Sequence, residues 1–357
     1  NTLDDRNNES GLFRFSLAKK AFAHTAQYDT TIAAALDAVK VDGSELLREA
    51  LVLDGVVPDH LTVTARKIQN LRYGENPHQE ASVYTDQAWG FGSAKVLQGK
   101  AISFNNLLDL DAAARLALEF AEPAAVIIKH TNPCGVATGT ELAGAYLKAR
   151  DIDPLSAFGG IVGLNQPLDV ETALAIVETF IECVIAPDVT DDARQIIAKK
   201  KNLRLVVADF TGGDERARRD VRSVMGGWLV QERDRAGECL SVWGDGIEVL
   251  PGSVLRVATK RVPTEEEWQA LRFAWRVCAH VKSNTIIFAH SDRVAAVGAG
   301  QMSRVDSAYL AIQKANKTVK GCVMASDAFF PFRDSVDTAA NAGILAIIQP
   351  GGSIRDD

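Results

Sequence analysis

Short, solid runs of apolar residues alternate along the chain with stretches whose apolar positions recur at helical spacing. From Ser16 to Leu36, residues Leu17, Ala21, Phe22, Thr25, Tyr28 and Ile32 fall near one stripe and predict a helix. Residues 1 to 12 are polar and predict an irregular entry segment. Residues 109 to 122 predict a second helix, with Asp109 as N-cap, Leu110, Ala113, Ala114, Ala117 and Ala121 on its buried side, and Pro123 as its stop. The run Val126-Ile127-Ile128 then reads as a strand buried on both faces. It ends at Lys129-His130, ahead of a polar turn containing Pro133 and Gly135. A helix from Leu142 to Ala149, a strand at Ile161-Val162, a helix from Val170 to about Ile181 and a strand within Glu182 to Pro187 follow.

The second half repeats this style. Thr264 and Glu267 form a capping-box pattern that opens a helix running to about Val281. Thr285 to Ala289 and Val294 to Val297 predict a hairpin, and Ser303 with Asp306 predicts a helix start. A helix to about Ala342, a C-cap at Gly343 and a strand from Ile344 to Ile348 close the pattern. Strands alternating with helices predict an α/β fold. The expected organisation is an arm and linker over 1–60, one subdomain over 61–210, and a bridge with a second subdomain over 211–357.

Composition narrows the class. The 357 residues are 47% hydrophobic, enough for a large core. A net charge of −7 argues against a general nucleic-acid or membrane-surface binder, while leaving anionic small molecules open if arginines are concentrated locally. No run approaches transmembrane length and no secretory signal opens the chain. The five cysteines are odd in number and scattered, with no C-x-x-C pair, which fits reduced thiols in the cytoplasm.

Several loops carry candidate chemistry. Lys129 and His130 bring a cation and an imidazole to a strand end, where ligands gather in open α/β sheets. Taken alone, a satisfied histidine beside a solvated lysine is the commoner arrangement. Arg72, in the polar loop that continues through Tyr73, Gly74 and Pro77, could present its fork to a phosphate or carboxylate. Gly159-Gly160 would admit a ligand close to the backbone or simply form a tight turn. Glu182 is either a ligand-facing carboxylate or a surface charge. Lys199-Lys200-Lys201-Asn202 is assigned to a solvated face. Gly298-x-Gly300 lacks the remainder of a dinucleotide fingerprint. The Phe329-Phe330-Pro331-Phe332 loop supplies either core plugs or a pocket wall.

The ordered set of these loops resembles the aminoimidazole carboxamide ribonucleotide (AICAR) transformylase domain of the bifunctional transformylase/IMP cyclohydrolase family. The segments that carry the resemblance are Arg72 to Gln79, Lys129 to Pro133, Asp153 to Gly160, Lys199 to Asn202, Ser283-Asn284, Gly298 to Arg304 and Ser326 to Asp334. The stretch Lys19 to Ala26 resembles the end of that family's cyclohydrolase domain, the body of which is absent here. The resemblance implies duplicated, cytidine-deaminase-like α/β/α layers. Zinc deaminases carry H-x-E and P-C-x-x-C. This chain has His130-Thr131-Asn132 and Pro133-Cys134-Gly135-Val136-Ala137, so no zinc is expected and deamination is disfavoured.

For function, the resemblance implies formyl transfer from 10-formyltetrahydrofolate to the 5-amino group of AICAR in purine biosynthesis. His130 would accept the amine proton and Lys129 would stabilise the transition state. Arg72, Tyr73, Gly159, Glu182, Asn284 and Phe329 would bind the nucleotide, and Arg304, Val305, Asp334, Ser353 and Ile354 the folate. A structural potassium ion is implied near Ser283, Thr285 and Asp327, and a homodimer as the working form. The family's C-terminal arginine and phenylalanine fall beyond Asp357, so the chain reads as truncated and impaired in transfer, and no cyclohydrolase activity is expected of these residues alone. A deaminase-like hydrolase and a non-catalytic nucleotide- or folate-binding module are the alternatives.

Overall fold

The alternation of solid apolar runs and amphipathic stretches resolves, in a computed structural model, into two sheets flanked by helices. The structure describes residues 2–37, 39–42, 45–48, 61–210, 219–234, 242–250, 252–354 and 356. They divide into two units, one of Asn1–Thr64 with Gly213–Arg233, the other of Ala65–Gly212 with Asp234–Asp357.

The smaller unit holds a helix over Thr2–Asp37 and two antiparallel strand pairs, Val39–Asp42 with Glu45–Arg48 and Arg219–Val224 with Gly227–Glu232. The helix overturns the irregular entry expected for residues 1 to 12. No proline interrupts that stretch, and a single interior glycine, Gly11, costs a helix only about 1 kcal/mol. Gly43, Gly55 and Pro58, within the arm and linker expected over 1–60, lie outside the described residues, as does Cys239.

The larger unit begins with a hairpin of Arg66–Asn70 and Ser82–Thr85. Its first sheet follows: β1 (Lys95–Gln98), α1 (Phe104–Ala117), β2 (Ala124–Lys129), β3 (Asn132–Thr138), α2 (Leu142–Arg150), α3 (Pro154–Ala157), β4 (Ile161–Leu164), α4 (Val170–Val177), β5 (Cys183–Ala186), α5 (Asp191–Ile197) and β6 (Arg204–Val207). The spatial order is β1-β6-β5-β4-β2-β3. Only β4, β5 and β6 run parallel; β2 is antiparallel to both of its neighbours. The second sheet uses α6 (Glu265–Cys278), β7 (Ile286–Ala289), β8 (Val294–Gly298), α7 (Arg304–Lys314), β9 (Val323–Ser326), α8 (Asp334–Asn341) and β10 (Ile347–Ile348). Its order is β8-β7-β9-β10, with only the last pair parallel. The series β3-β2-β4-β5 shows the same succession of pairings, antiparallel, antiparallel, then parallel.

Burial explains the layers. In β2, Ala124, Val126 and Ile128 face one core while Ala125 and Ile127 face another. The first core also takes Leu110 and Ala113 from α1, Leu271, Ala274 and Val277 from α6, and Ile287 and Val323 from the second sheet. It therefore joins the two sheets through their inner helices. The Phe120 and Phe273 rings meet there at 5.0 Å. Helices α2, α4 and α5 cover the outer face of the first sheet, and α7 and α8 that of the second. Backbone pairing also crosses between the halves, with Thr138 N–H donating to Asp292 O at 2.8 Å.

Three local expectations are corrected. The helix after Ile102 starts at Phe104, because Ser103 and Asn106 form a reciprocal capping box nearly two turns earlier than the Asp109 N-cap predicted. Asp109 is consequently inside the helix. Pro133 and Gly135 belong to β3, not to a turn; β3 is an edge strand, where a missing N–H is tolerated. The strand expected over Ile344 to Ile348 shortens to Ile347–Ile348. The Thr264–Glu267 capping box, the hairpin after it and the Ser303 cap, whose hydroxyl accepts from the Asp306 N–H, are all present.

Gly135 permits close packing of α2 on β3, since a Cβ there would lie 2.0 Å from the Ala149 carbonyl oxygen. Gly135→Ala is expected to destabilise the protein by about 1–3 kcal/mol, the usual cost of overpacking. Gly144, inside α2 with open space around it, provides the control. Gly144→Ala should stabilise by roughly 1 kcal/mol. Urea denaturation of both variants checks the pair; equal midpoints would contradict the packing argument.

Candidate functional site

Strand β2 delivers Lys129 and His130 to a two-residue hairpin turn closed by the Lys129–Asn132 pair. Both central residues have positive φ, 52° at His130 and 62° at Thr131. Asn-Gly ordinarily fills such turns, because left-handed backbone costs other L-residues roughly 1–2 kcal/mol each. The turn is held from beneath by α1: Asp109 Oδ1 accepts the Thr131 N–H at 2.6 Å. Burial raises the Asp109 pKa, while the N–H groups of Thr131 and His130 and the nearby imidazole pull it back. On the other side, Asn132 Oδ1 accepts the Lys282 N–H at 3.2 Å, tying the turn to the loop that enters β7.

Lys129 folds toward the start of β4. Its ammonium donates to Phe158 O at 2.8 Å. Gly159, at φ +70°, leaves room for it: a Cβ there would lie 3.3 Å from Lys129 Nζ and 3.3 Å from the Phe180 ring. Lys129, His130, Asp153 and Ser156 from the first half, with Ala296, Gly298, Gln301 and Lys314 from the second, line a cavity of about 340 Å³. Cys134 also lines it, with its thiol pushed up to about 12, chiefly by burial and further by Asp153. A protonated thiol is neither a metal ligand nor a nucleophile. Iodoacetamide treatment of the native protein at pH 8 should therefore leave Cys134 unmodified, as read by peptide mass spectrometry; rapid labelling would show a thiolate.

A second cavity, of about 290 Å³, is lined by Arg72, Lys100, Phe180, Glu182, Asn202 and Arg204. Arg204 is buried, and its guanidinium donates to Glu182 Oε1 at 3.1 Å and to Lys100 O at 3.2 Å. Asn106 reaches the same Glu182 oxygen from α1 at 3.4 Å. The Arg72 guanidinium lies over the Tyr73 ring, 4.7 Å from its centroid. Lys199, Lys200 and Lys201 are exposed, in keeping with the solvated face expected of them.

These placements change the picture of the sheet. Gly159 and Glu182 precede β4 and β5, and Arg204 opens β6. The residues around Lys129 thus gather at the carboxyl end of β2, as expected, and at the amino ends of the parallel strands β4, β5 and β6. Because β2 runs antiparallel to β4, its carboxyl end meets their amino ends.

In the second half, Asn284 and Arg304 come together. Arg304 donates to Asn284 Oδ1 at 2.7 Å, to Ser326 Oγ at 2.9 Å and to Asp327. Burial acts to raise the Asp327 pKa, but hydrogen bonds from Ser283, the Thr285 N–H and Arg304 outweigh it and hold the carboxyl below its usual range. Asn284 continues to the first cavity through Gln301, whose carbonyl accepts from its Nδ2 at 2.8 Å. Val305 follows Arg304 in α7. Phe330 is a buried plug, while Phe329 and Phe332 are exposed. Asp334 opens α8 and caps the Ser335 N–H at 2.7 Å. Ser353 and the fully exposed Ile354 lie beyond β10, outside both cavities.

Sequence reasoning missed Asp109, Asn106, Arg204 and Lys282 as parts of this arrangement. Asp109 and Asn106 sit three apart on one helix face, a spacing that a reader could use only once the helix start is fixed at Ser103.

The chain is similar to known proteins along nearly its whole length. The family model described as AICARFT/IMPCHase bienzyme matches residues 1–314. Proteins named "Bifunctional purine biosynthesis protein PurH" are similar along nearly the whole chain. That of Myxococcus xanthus is 49% identical over 352 residues, covering 96% of this chain and 63% of the relative. That of Acidithiobacillus ferrooxidans is 47% identical over 348 residues, with the same two shares of 96% and 63%. That of Sorangium cellulosum is 47% identical over 361 residues, covering 99% of this chain and 66% of the relative. The chain thus spans just under two thirds of the length of these relatives.

Proposed function

This chain belongs to the AICARFT/IMPCHase bienzyme family, and from that premise we propose that it performs the formyl-transfer half of the family's chemistry. The reaction moves a formyl group from 10-formyltetrahydrofolate to the 5-amino group of AICAR. The observation that carries the reading is the β2–β3 turn, which brings Lys129 and His130 together in the lining of one cavity.

An amine conjugated with an imidazole carboxamide is a weak nucleophile, so its attack on the formyl carbon needs proton removal and charge stabilisation. His130 takes the amine proton. Lys129, held by Phe158 O beside Gly159, faces the oxyanion of the tetrahedral intermediate. Arg72 and Lys100, with Arg204, give the second cavity the positive charge suited to the nucleotide's phosphate. Glu182, fixed by Arg204 and Asn106, offers a hydrogen-bond acceptor to the base. Tyr73, Asn284 and Phe329 complete the nucleotide side, and Arg304, Val305, Asp334, Ser353 and Ile354 the folate side. In a single chain the exposed Phe329, Phe332 and Ile354 lie on open surface, which suits a homodimer whose partner closes the site.

The potassium ion implied near Ser283, Thr285 and Asp327 would find oxygen donors in the Asp327 carboxylate, whose Oδ1 accepts the Thr285 N–H, and in the Thr285 hydroxyl, which donates its proton to Lys282 O at 2.7 Å and keeps its lone pairs. The matched pairing series of the two sheets supports a duplicated, cytidine-deaminase-like layer. Among the described residues no helix is long and apolar enough to cross a membrane, and scattered thiols suit a cytosolic setting. The relatives' bifunctional name supports a cyclohydrolase activity elsewhere in the full-length protein.

The direct test is an assay of full-length protein with AICAR and 10-formyltetrahydrofolate, following tetrahydrofolate release. Turnover dependent on both substrates is the expected result; none would refute the reading.

A further inference from the structure

The His130–Thr131 turn is strained, and something must hold it. Neither residue is glycine, yet both adopt left-handed backbone. The Thr131 hydroxyl and the Asn132 side-chain amide both donate to the His130 carbonyl, at 2.7 and 3.2 Å. The Thr131 N–H points the other way, into α1, where Asp109 Oδ1 receives it at 2.6 Å. That distance is at the short end for a charge-assisted bond.

We propose that Asp109 is a positioning residue for formyl transfer: its carboxylate clamps the left-handed His130–Thr131 turn and thereby fixes where the His130 imidazole stands. The clamp has a rigid base. The Ser103–Asn106 capping box fixes the start of α1, and Leu110 and Ala113 are wholly buried beside Asp109. The same helix face uses Asn106, one turn earlier, to hold Glu182. One helix thus supports the turn that carries the base and the carboxylate of the second cavity. The groups facing Asp109 are the two N–H groups, the imidazole and, at longer range, Glu182. The inference rests on the reading of His130 as the base.

Three variants of the full-length protein test it. Asp109→Ala removes the acceptor and should lower kcat by about 10–100-fold, the span expected for losing one hydrogen bond to a charged group. KM for AICAR should stay within about threefold, because Arg72 and Arg204 are untouched. Asp109→Asn keeps an acceptor oxygen and should recover most of the lost kcat. Adding Thr131→Gly to Asp109→Ala relaxes the backbone and should recover about tenfold, since glycine adopts positive φ freely. Hydrogen exchange at the Thr131 amide is the readout independent of turnover: protected in wild type and Asp109→Asn, at least about tenfold faster in Asp109→Ala.

Wild-type-like kcat in Asp109→Ala would overturn the proposal, as would an unchanged Thr131 exchange rate. Equal losses in the alanine and asparagine variants, with KM raised in both, would make Asp109 a substrate contact instead. A wild type that transfers no formyl group would sink the reading of the site, while Thr131 exchange would still decide the clamp.

Discussion

His130→Ala should lower kcat for formyl transfer by about 10²–10⁴-fold, the usual contribution of a positioned general base. KM for AICAR should change far less, because Arg72, Glu182 and Arg204 line a different cavity from His130. Lys129→Ala should cost about 10²–10³-fold through loss of oxyanion stabilisation. The two losses should not add in the double variant, since both act on one transition state. Steady-state kinetics with AICAR varied at saturating 10-formyltetrahydrofolate decide the matter. Near-normal turnover of His130→Ala would remove it as the base, whatever happens at Lys129.

Arg304→Ala should destabilise the fold by about 1–3 kcal/mol, the cost of leaving the hydrogen-bond partners of a partly buried charged group unsatisfied. The Arg304 and Asp327 side chains are 9% and 18% exposed, so solvent replaces the guanidinium only in part. Arg304→Lys should rescue this poorly, because one ammonium cannot match a planar fork shared among Asn284, Ser326 and Asp327. Denaturant unfolding separates two roles. A residue that only touched folate would leave the midpoint unmoved, whereas one that also braces β7 and β9 would lower it.

The pH dependence follows from the same pair. Asp327 has its folded pKa depressed, so its contribution to stability is complete above the ordinary carboxylate pKa and is lost as pH falls through the folded value. The wild type should therefore lose stability below about pH 4 more steeply than Asp327→Asn, measured by thermal midpoints across pH 2–6.

Much of the fold is legible locally. Val126-Ile127-Ile128 forms a strand buried on both faces, as its unbroken apolar character implies, and Thr264 opens its helix with the capping box its spacing predicts. These features depend on residues within a few positions of one another. The start of α1 is ambiguous from residue type alone, because Ser103 and Asp109 both qualify as caps. The capping box was won by Ser103, which has Asn106 three residues on to return the bond.

Part of the lining of the candidate site can be read along the chain, but its geometry cannot. Family loops mark Lys129 and His130, which line the first cavity, Glu182, which lines the second, and Gly159, which packs against the Lys129 ammonium. Nothing in the run Ala124 to Lys129 says which way its neighbours run. Apolar strands are alike whether paired parallel or antiparallel, and direction is fixed by hydrogen bonding to segments some forty residues away. That choice carries Lys129 to the amino ends of β4 and β5, against Gly159. The same holds for the partners of Asp109 and Arg304: their charge and rough burial can be read from the chain, but a carboxylate meets a particular N–H only after helix and hairpin have packed. Local chemistry specifies the elements and the reactive groups. Long-range strand pairing and core packing, which bring distant residues within about 3 Å, specify what those groups can do.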